Sequence, residues 1–224
     1  MGAPGRSSSK ESNESAFSAP ASYCLGRLSE QNLIPGRRSL AGLATKGSKS
    51  MATREIHVQR FTIVSSKPFR GVVSALEAAI GRPDMGAFRK GLSTARSEAE
   101  LEKIVNAAVG VSGLMEFARF ELGEILRKEP GAGTRESLRL VVGNPLVMKQ
   151  MVKRVPDAGS YAPVTILVDE RPDGVHLSYD RMASFLDSYG NGDALKVAQD
   201  LDAKVEALLT AATTLVARKA SGEA

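Results

Sequence analysis

The four residues Arg171-Pro172-Asp173-Gly174 constrain the fold of this chain more than any other segment. Proline at the second position and glycine at the fourth are typical of a tight β-turn. The segments on either side, 164–170 and 175–180, alternate apolar and polar residues, so we expect a β-hairpin. Pairing Glu170 with Val175 puts the apolar residues of both strands on one face. A slip of one residue would expose all of them, so the register is also predicted.

The opposite face of this hairpin collects polar side chains. It carries Thr165, Leu167 and Asp169 from the first strand and His176, Ser178 and Asp180 from the second. These residue types resemble a hydrolytic triad, but neighbours on one face of a strand lie roughly 6 to 7 Å apart along its axis, beyond hydrogen-bond reach. We therefore expect a polar sheet face on which Asp169 pairs with His176 across the strands.

Capping signals mark the helices. Asn144-Pro145 follows an alternating strand at 138–142 and is typical of an N-cap followed by the first helical residue. Ser97 with Glu100 three residues later is a capping box. Ser66, just ahead of a proline, is the expected N-cap of a helix that runs to residue 80.

The last helix has the clearest period in the sequence. Its apolar residues step by three and four: Leu195, Ala198, Leu201, Val205, Leu208 and Ala212. This spacing predicts one buried face. Its charged residues Asp200, Asp202, Lys204 and Glu206 are expected to form a solvated face. A further strand is expected at 115–118, whereas the segment 121–128 fits a strand or a short helix equally well.

The first 51 residues differ in composition from the rest. Residues 1–50 contain eleven serines and no sustained apolar period, which is typical of disorder. Basic residues among small and hydroxyl side chains favour a mitochondrial or plastid transit peptide, although Glu11, Glu14 and Glu30 argue against one. The alternative is a cytoplasmic protein whose translation starts at Met51. The expected organisation is a leader at 1–51, one α+β domain at 52–218 and a disordered tail at 219–224.

Charge and residue types argue against several classes of function. The formal net charge is +5, but residues 1–50 hold +4 of it, so the domain offers no basic face for nucleic acid. No apolar run is long enough to span a membrane. The only cysteine, Cys24, lies in the leader, and the two histidines, His57 and His176, lack the spacing of metal ligands. Met148 and Met151 suit copper(I) or haem, but methionine more often fills a core. We expect no metal and no cofactor.

Three short motifs resemble the domain of unknown function 302 family. They are Gly143-Asn144-Pro145-Leu146, Tyr161-Ala162-Pro163 and Ser178-Tyr179-Asp180-Arg181. The likeness extends over residues 54–218. It implies a TATA-binding-protein-like α+β fold, in which a curved antiparallel sheet packs against helices. The resemblance implies no activity and no catalytic residues.

The candidate ligand-binding residues follow from these motifs and from the polar hairpin face: Asn144, Tyr161, His176, Tyr179, Asp180 and Arg181. A helix that starts after Asn144 would favour an anion, and Arg181 could bind a carboxylate or phosphate with two hydrogen bonds. The competing interpretation makes Asn144 a plain cap, Tyr161 a core residue, and Asp180 and Arg181 caps of the next helix.

Three functions remain open. The first is a non-catalytic module that binds a small anionic or amphipathic ligand or a partner. The second is a small hydrolase or isomerase with Asp180 or His176 as general base, assisted by Arg181 and Tyr161. The third is a structural homodimer that is sealed through the sheet.

Overall fold

The computed structural model describes residues 51–131, 133 and 135–214. The predictions for the leader, apart from Met51, and for the tail at 219–224 concern residues outside this range. No helix in the described part of the chain is both long and apolar enough to cross a membrane.

Five strands form one antiparallel sheet in the order β1-β5-β4-β3-β2. The strands are β1 (Arg60–Ser65), β2 (Met115–Phe120), β3 (Ser137–Gly143), β4 (Val164–Arg171) and β5 (Gly174–Asp180). The hairpin β4–β5 has the predicted register, because Glu170 pairs with Val175 and Val168 with Leu177. The α+β class and the antiparallel sheet are confirmed, whereas the TATA-binding-protein-like label stays a prediction.

Seven helices accompany the sheet in the described residues. They are α1 (Phe69–Ala79), α2 (Met85–Thr94), α3 (Glu98–Ala108), α4 (Leu122–Leu126), α5 (Pro145–Val152), α6 (Met182–Leu186) and α7 (Gly192–Thr213). The ambiguous segment 121–128 thus contains the short helix α4. Helix α2, which the sequence analysis did not predict, starts at an Asp84 cap whose carboxylate accepts from the Ala87 amide at 2.6 Å.

Two of the predicted caps are confirmed, and one is wrong. Asn144 caps α5, and its side-chain oxygen accepts from the Leu146 amide at 2.9 Å. Ser97 caps α3 and accepts from the Glu100 amide at 3.2 Å. Ser66 caps nothing: Pro68 holds the N-cap position of α1, and Ser65 accepts from the amide two residues on.

The main core lies between one face of the sheet and the helices α1, α5, α6 and α7. Strand residues such as Leu140, Ile166 and Leu177 are fully buried there, together with Leu76 of α1 and Leu209 of α7. A smaller cluster around Phe88, Val105 and Met115 packs between α2, α3 and the start of β2. The apolar periods that predicted the hairpin and the last helix therefore face one continuous core.

Among the described residues, little covers the other face of the sheet. Four neighbouring pairs define a row across it, from Phe120 of β2 through Arg139, Leu167 and Ser178 to Thr62 of β1. Paired residues of antiparallel strands point to the same side, so these five side chains share the open face. The helix α4 follows β2 and contributes Leu122 to the edge of this face.

Candidate functional site

A groove of about 800 Å³ runs over the open face of the sheet. Its floor includes Arg139, Leu167 and Ser178 from three adjacent strands. The groove is also lined by Leu122 of α4, by the segment 159–163 and by Phe185 of α6. Cavities of 300 to 1,000 Å³ lined by apolar groups and a few polar groups are typical of small-molecule sites.

Arg139 of β3 is one of the charged residues that line the groove. It is exposed, and its guanidinium lies 5.7 Å from the centre of the Phe120 ring and 3.5 Å from the Thr165 hydroxyl. It makes no ion pair with any other residue that the structure describes. Its neighbours along the sheet, Val141 and Leu167, are partly buried apolar side chains. The groove thus combines one uncompensated positive charge with an apolar surface.

The end of the groove at β1 is closed by an ion pair. Arg60 Nε donates to one oxygen of Asp180 at 2.6 Å and its terminal nitrogen donates to the other at 2.8 Å. This two-pronged bond and the Asp180 charge raise the pKa of Arg60. Beside the pair, the hydroxyls of Thr62 and Ser178 lie 3.2 Å apart. The Asp180 carboxylate is therefore already paired with a positive charge, that of Arg60 on the neighbouring strand β1.

Tyr161 forms an aromatic wall of the groove. Its ring stacks on Phe185 with 4.7 Å between the ring centres. Its hydroxyl lies 2.8 Å from the hydroxyl of Tyr189, and this hydrogen bond, followed by burial, raises the pKa of Tyr189. Tyr161 is held in place from two sides while it still borders the groove.

The expected pair of Asp169 and His176 is not formed, although the two residues stand directly opposite each other. His176 Nε2 lies 2.9 Å from a carboxylate oxygen of Asp173 in the turn. Asp169 is buried and instead binds two arginines: Arg135 Nε at 3.1 Å and Arg171 Nε at 2.9 Å. Burial acts to raise the pKa of Asp169, but the two guanidinium groups outweigh it and lower the pKa.

Tyr179 and Asp202 meet on the helix side of the sheet. The Tyr179 hydroxyl donates to Asp202 at 2.5 Å, and the backbone amides of Met182 and Ala183 donate to the same carboxylate at 2.7 and 3.0 Å. Burial raises the pKa of Asp202 despite these donors. The prediction that the charged residues of the last helix are solvated is therefore wrong for Asp202. Its carboxylate caps the start of α6, although the two lie about 20 residues apart in sequence.

A second, smaller cavity of about 150 Å³ lies beside Asn144. Both polar atoms of the Asn144 side chain have a partner, since its amide nitrogen donates to the Gly113 carbonyl at 2.9 Å while its oxygen caps α5. The other lining residues are apolar apart from their backbone, and they include Met148 and Met151. The start of α5 thus opens onto an apolar space rather than onto a polar site for an anion.

The family model described as Domain of unknown function DUF302 matches residues 91–212. This span is more than half of the 224 residues. The chain belongs to the domain of unknown function 302 family. The matched region contains the groove apart from its β1 end, and it also contains the second cavity.

One solved structure similar to this domain of unknown function 302 protein is the "Crystal structure of uncharacterized conserved protein DUF302 from Bacillus stearothermophilus". The two share 12% sequence identity and align with a TM-score of 0.48 over 68% of this chain and 97% of that chain. No curated protein matches this chain significantly.

The structure separates the six predicted site residues of this domain of unknown function 302 protein. It brings the side chains of Tyr161 and Asp180 to the groove. His176 and Asn144 are tied to local partners as described above. Tyr179 borders the groove but turns its hydroxyl to the helix layer, and Arg181 also binds there, with Nε donating to Glu206 at 2.7 Å.

The groove residue that the sequence analysis missed is Arg139. The only local signal was a charged residue between Leu138 and Leu140 in an alternating strand, which is ordinary for a solvated face. Its place beside Leu167 depends on β3 pairing with β4, which no local pattern specifies. Among the described residues, no group of three or more His, Cys, Asp or Glu side chains is placed to hold a metal ion.

Proposed function

We propose that this protein is a non-catalytic module that binds a small amphipathic molecule with one acidic group in the groove on the open sheet face. The observation that carries this proposal is Arg139. A guanidinium without a carboxylate partner among the described residues stands in a concave, partly apolar surface, where it favours an anion. Arginine can bind a carboxylate or phosphate through two parallel hydrogen bonds.

The surroundings of Arg139 support a ligand with an apolar part. Leu167 and Val141 lie next to it on the sheet, and Leu122 and Phe185 also line the groove. Burial of such surface contributes about 25 cal/mol per Å² to binding before the entropic cost of association. The hydroxyls of Ser178 and Thr165 supply additional hydrogen-bond donors at the floor.

The contacts of Asp180 and His176, the two candidate general bases, argue for binding rather than catalysis. A general base must be free to accept a proton from the substrate. Both oxygens of Asp180 accept hydrogen bonds from Arg60, and His176 is buried and bonded to Asp173. The first contact joins β1 to β5, and the second joins β5 to the turn before it.

The head-group preference of the full-length protein tests this proposal. We would titrate decanoate, decanol and decyltrimethylammonium, which share one alkyl chain, by isothermal titration calorimetry. Decanoate should bind most tightly because its charge is complementary to Arg139. Arg139→Gln should weaken decanoate binding about tenfold or more, since a hydrogen bond to a charged group contributes about 1.5 to 3 kcal/mol.

The matched control is Arg89→Gln, because Arg89 is an exposed arginine on α2 that does not line the groove. It should leave all three affinities unchanged. Equal affinities for the three head groups, or an Arg139→Gln variant that binds decanoate as well as the wild type does, would contradict the proposal.

A homodimer is the second candidate function. It is favoured by three exposed apolar residues beside the groove: Phe120 is 48% exposed, Ile125 70% and Leu126 40%. Exposed apolar patches are often interaction sites. Native mass spectrometry of the full-length protein with Ile125→Glu distinguishes the two functions: a dimer through this face should dissociate, whereas decanoate binding at Arg139 should persist.

A further inference from the structure

The 150 Å³ cavity beside Asn144 lies at the seam between the two core clusters. Leu92 and Phe117 come from the side of the smaller cluster, whereas Met151, Val164 and Leu201 belong to the larger one. Because the two clusters are built on different helices, their side chains meet here without filling the space between them.

The cavity offers nothing to a polar ligand. Its one polar side chain, Asn144, has its oxygen bonded to the Leu146 amide and its nitrogen to the Gly113 carbonyl. A bound water molecule needs two to four polar partners, which this lining does not supply, so the space suits a small apolar group.

The cavity and the groove share a wall. Ala162, Pro163 and Val164 line both of them. Pro163 is exposed, so this wall is at the protein surface. Gly143 lies against it, and a β-carbon added at Gly143 would come within 3.1 Å of Pro163 Cβ.

The open face leads from Arg139 to this wall. Alternate residues of a strand share a face, so Arg139, Val141 and Gly143 form one line along β3. The distance along the strand from Arg139 to Gly143 is roughly 13 Å at about 3.3 Å per residue. A ligand that spans this length of the strand needs an extended apolar part of medium length.

We infer that the groove and the cavity are two parts of one site, and that its ligand class is a medium-chain aliphatic acid. The acidic group binds Arg139, the chain follows Val141, and the end of the chain enters the cavity past Pro163. This inference rests on the proposed function for the acidic group, but the tail subsite is independent of it.

The test is the dependence of affinity on chain length in the full-length protein. Calorimetric titrations of hexanoate, octanoate, decanoate and dodecanoate should show affinity rising by about fourfold for each methylene that is buried. The rise should stop once the cavity is full. Leu92→Trp, which fills the cavity, should weaken decanoate binding at least tenfold and leave hexanoate unchanged.

Met148→Ala tests the same subsite by removing a lining side chain instead of adding one. This test remains valid even if the Leu92→Trp variant does not fold. By enlarging the cavity, it should move the preferred chain toward dodecanoate. The control is Val111→Trp, because Val111 is 92% exposed and does not line the cavity.

The outcomes separate the two proposals. If Arg139→Gln weakens every acid but affinity is independent of chain length and of both cavity variants, the tail subsite is overturned and the proposed function stands. If the cavity variants shift the preferred length while Arg139→Gln has no effect, the proposed role of Arg139 is overturned. If no acid binds to the wild type, both are overturned.

Discussion

Asp169 illustrates how single residues hold the polar edge of the sheet together. Its side chain is only 5% exposed, and its carboxylate accepts from Arg135, which lies before β3, and from Arg171 at the end of β4. A buried carboxylate is stable only when its charge is paired and hydrogen-bonded. Asp169 therefore joins the start of β3 to the β4–β5 turn through two ion pairs, whereas the sequence predicted a hydrogen bond to His176.

Asp169→Asn should remove about 1 to 3 kcal/mol from the free energy of unfolding at neutral pH, because two charged hydrogen bonds are lost. The folded-state pKa of Asp169 is lowered below 3.8. The stabilisation is therefore present above the unfolded-state pKa and is lost as pH falls through the folded-state pKa.

Urea unfolding between neutral pH and pH 2 would measure this prediction. The difference between wild type and Asp169→Asn should shrink toward zero at the acid end. The exposed Asp187 provides the control substitution Asp187→Asn, for which we expect little change. A difference that stays constant with pH would show that the charge of Asp169 contributes no stability.

At the scale of secondary-structure elements, two glycines determine how α1 and α3 end. A β-carbon at Gly110 would lie 2.3 Å from the Ala79 carbonyl oxygen, and one at Gly81 would lie 2.0 Å from the Ala108 carbonyl oxygen. Both amides donate to the Leu114 carbonyl at 2.9 Å. The backbones approach so closely that neither position accepts a side chain without a shift of the main chain.

Gly110→Ala should therefore destabilise the protein by about 3 kcal/mol or more, because the clash is with backbone atoms. Gly71→Ala is the matched control, since Gly71 lies within α1 and its added β-carbon would meet nothing closer than 4.0 Å. That substitution should stabilise by about 0.5 to 1 kcal/mol. Thermal unfolding of both variants checks the pair of predictions, and a Gly110→Ala protein as stable as wild type would contradict the tight packing.

Local elements were predictable where the residues that define them are neighbours in the chain. The turn at 171–174 fixed the β4–β5 register, and Asn144 and Ser97 were recognised as caps from their own surroundings. Asp202 was misassigned because its partners, the start of α6 and Tyr179, are about 20 residues away in sequence. A charged residue in a long helix looks solvated unless the packing of that helix is known.

At the scale of the whole molecule, the order of the strands determines the candidate site. The groove exists because β3 and β5 flank β4, which brings Arg139, Leu167 and Ser178 into one row. The sequence predicted the polar face of the hairpin and the strand at 138–142, but not that this strand pairs with β4. The family motifs are divided between the two sides of the sheet: the side chains of Tyr179 and Arg181 bind the helix layer, whereas Tyr161 and Asp180 line the groove. Arg139, the groove cation without an ion-pair partner among the described residues, comes from outside those motifs.

The most direct test of the account is to locate the binding site of decanoate by amide chemical-shift mapping on the isotope-labelled, full-length protein. We expect the largest changes at Arg139, Leu167 and Ser178 and around Gly143, with small changes on the outer surface of α2 and α3. Shifts confined to that outer surface, or no shifts at a concentration at which calorimetry detects binding, would contradict a ligand site on the open face of the sheet.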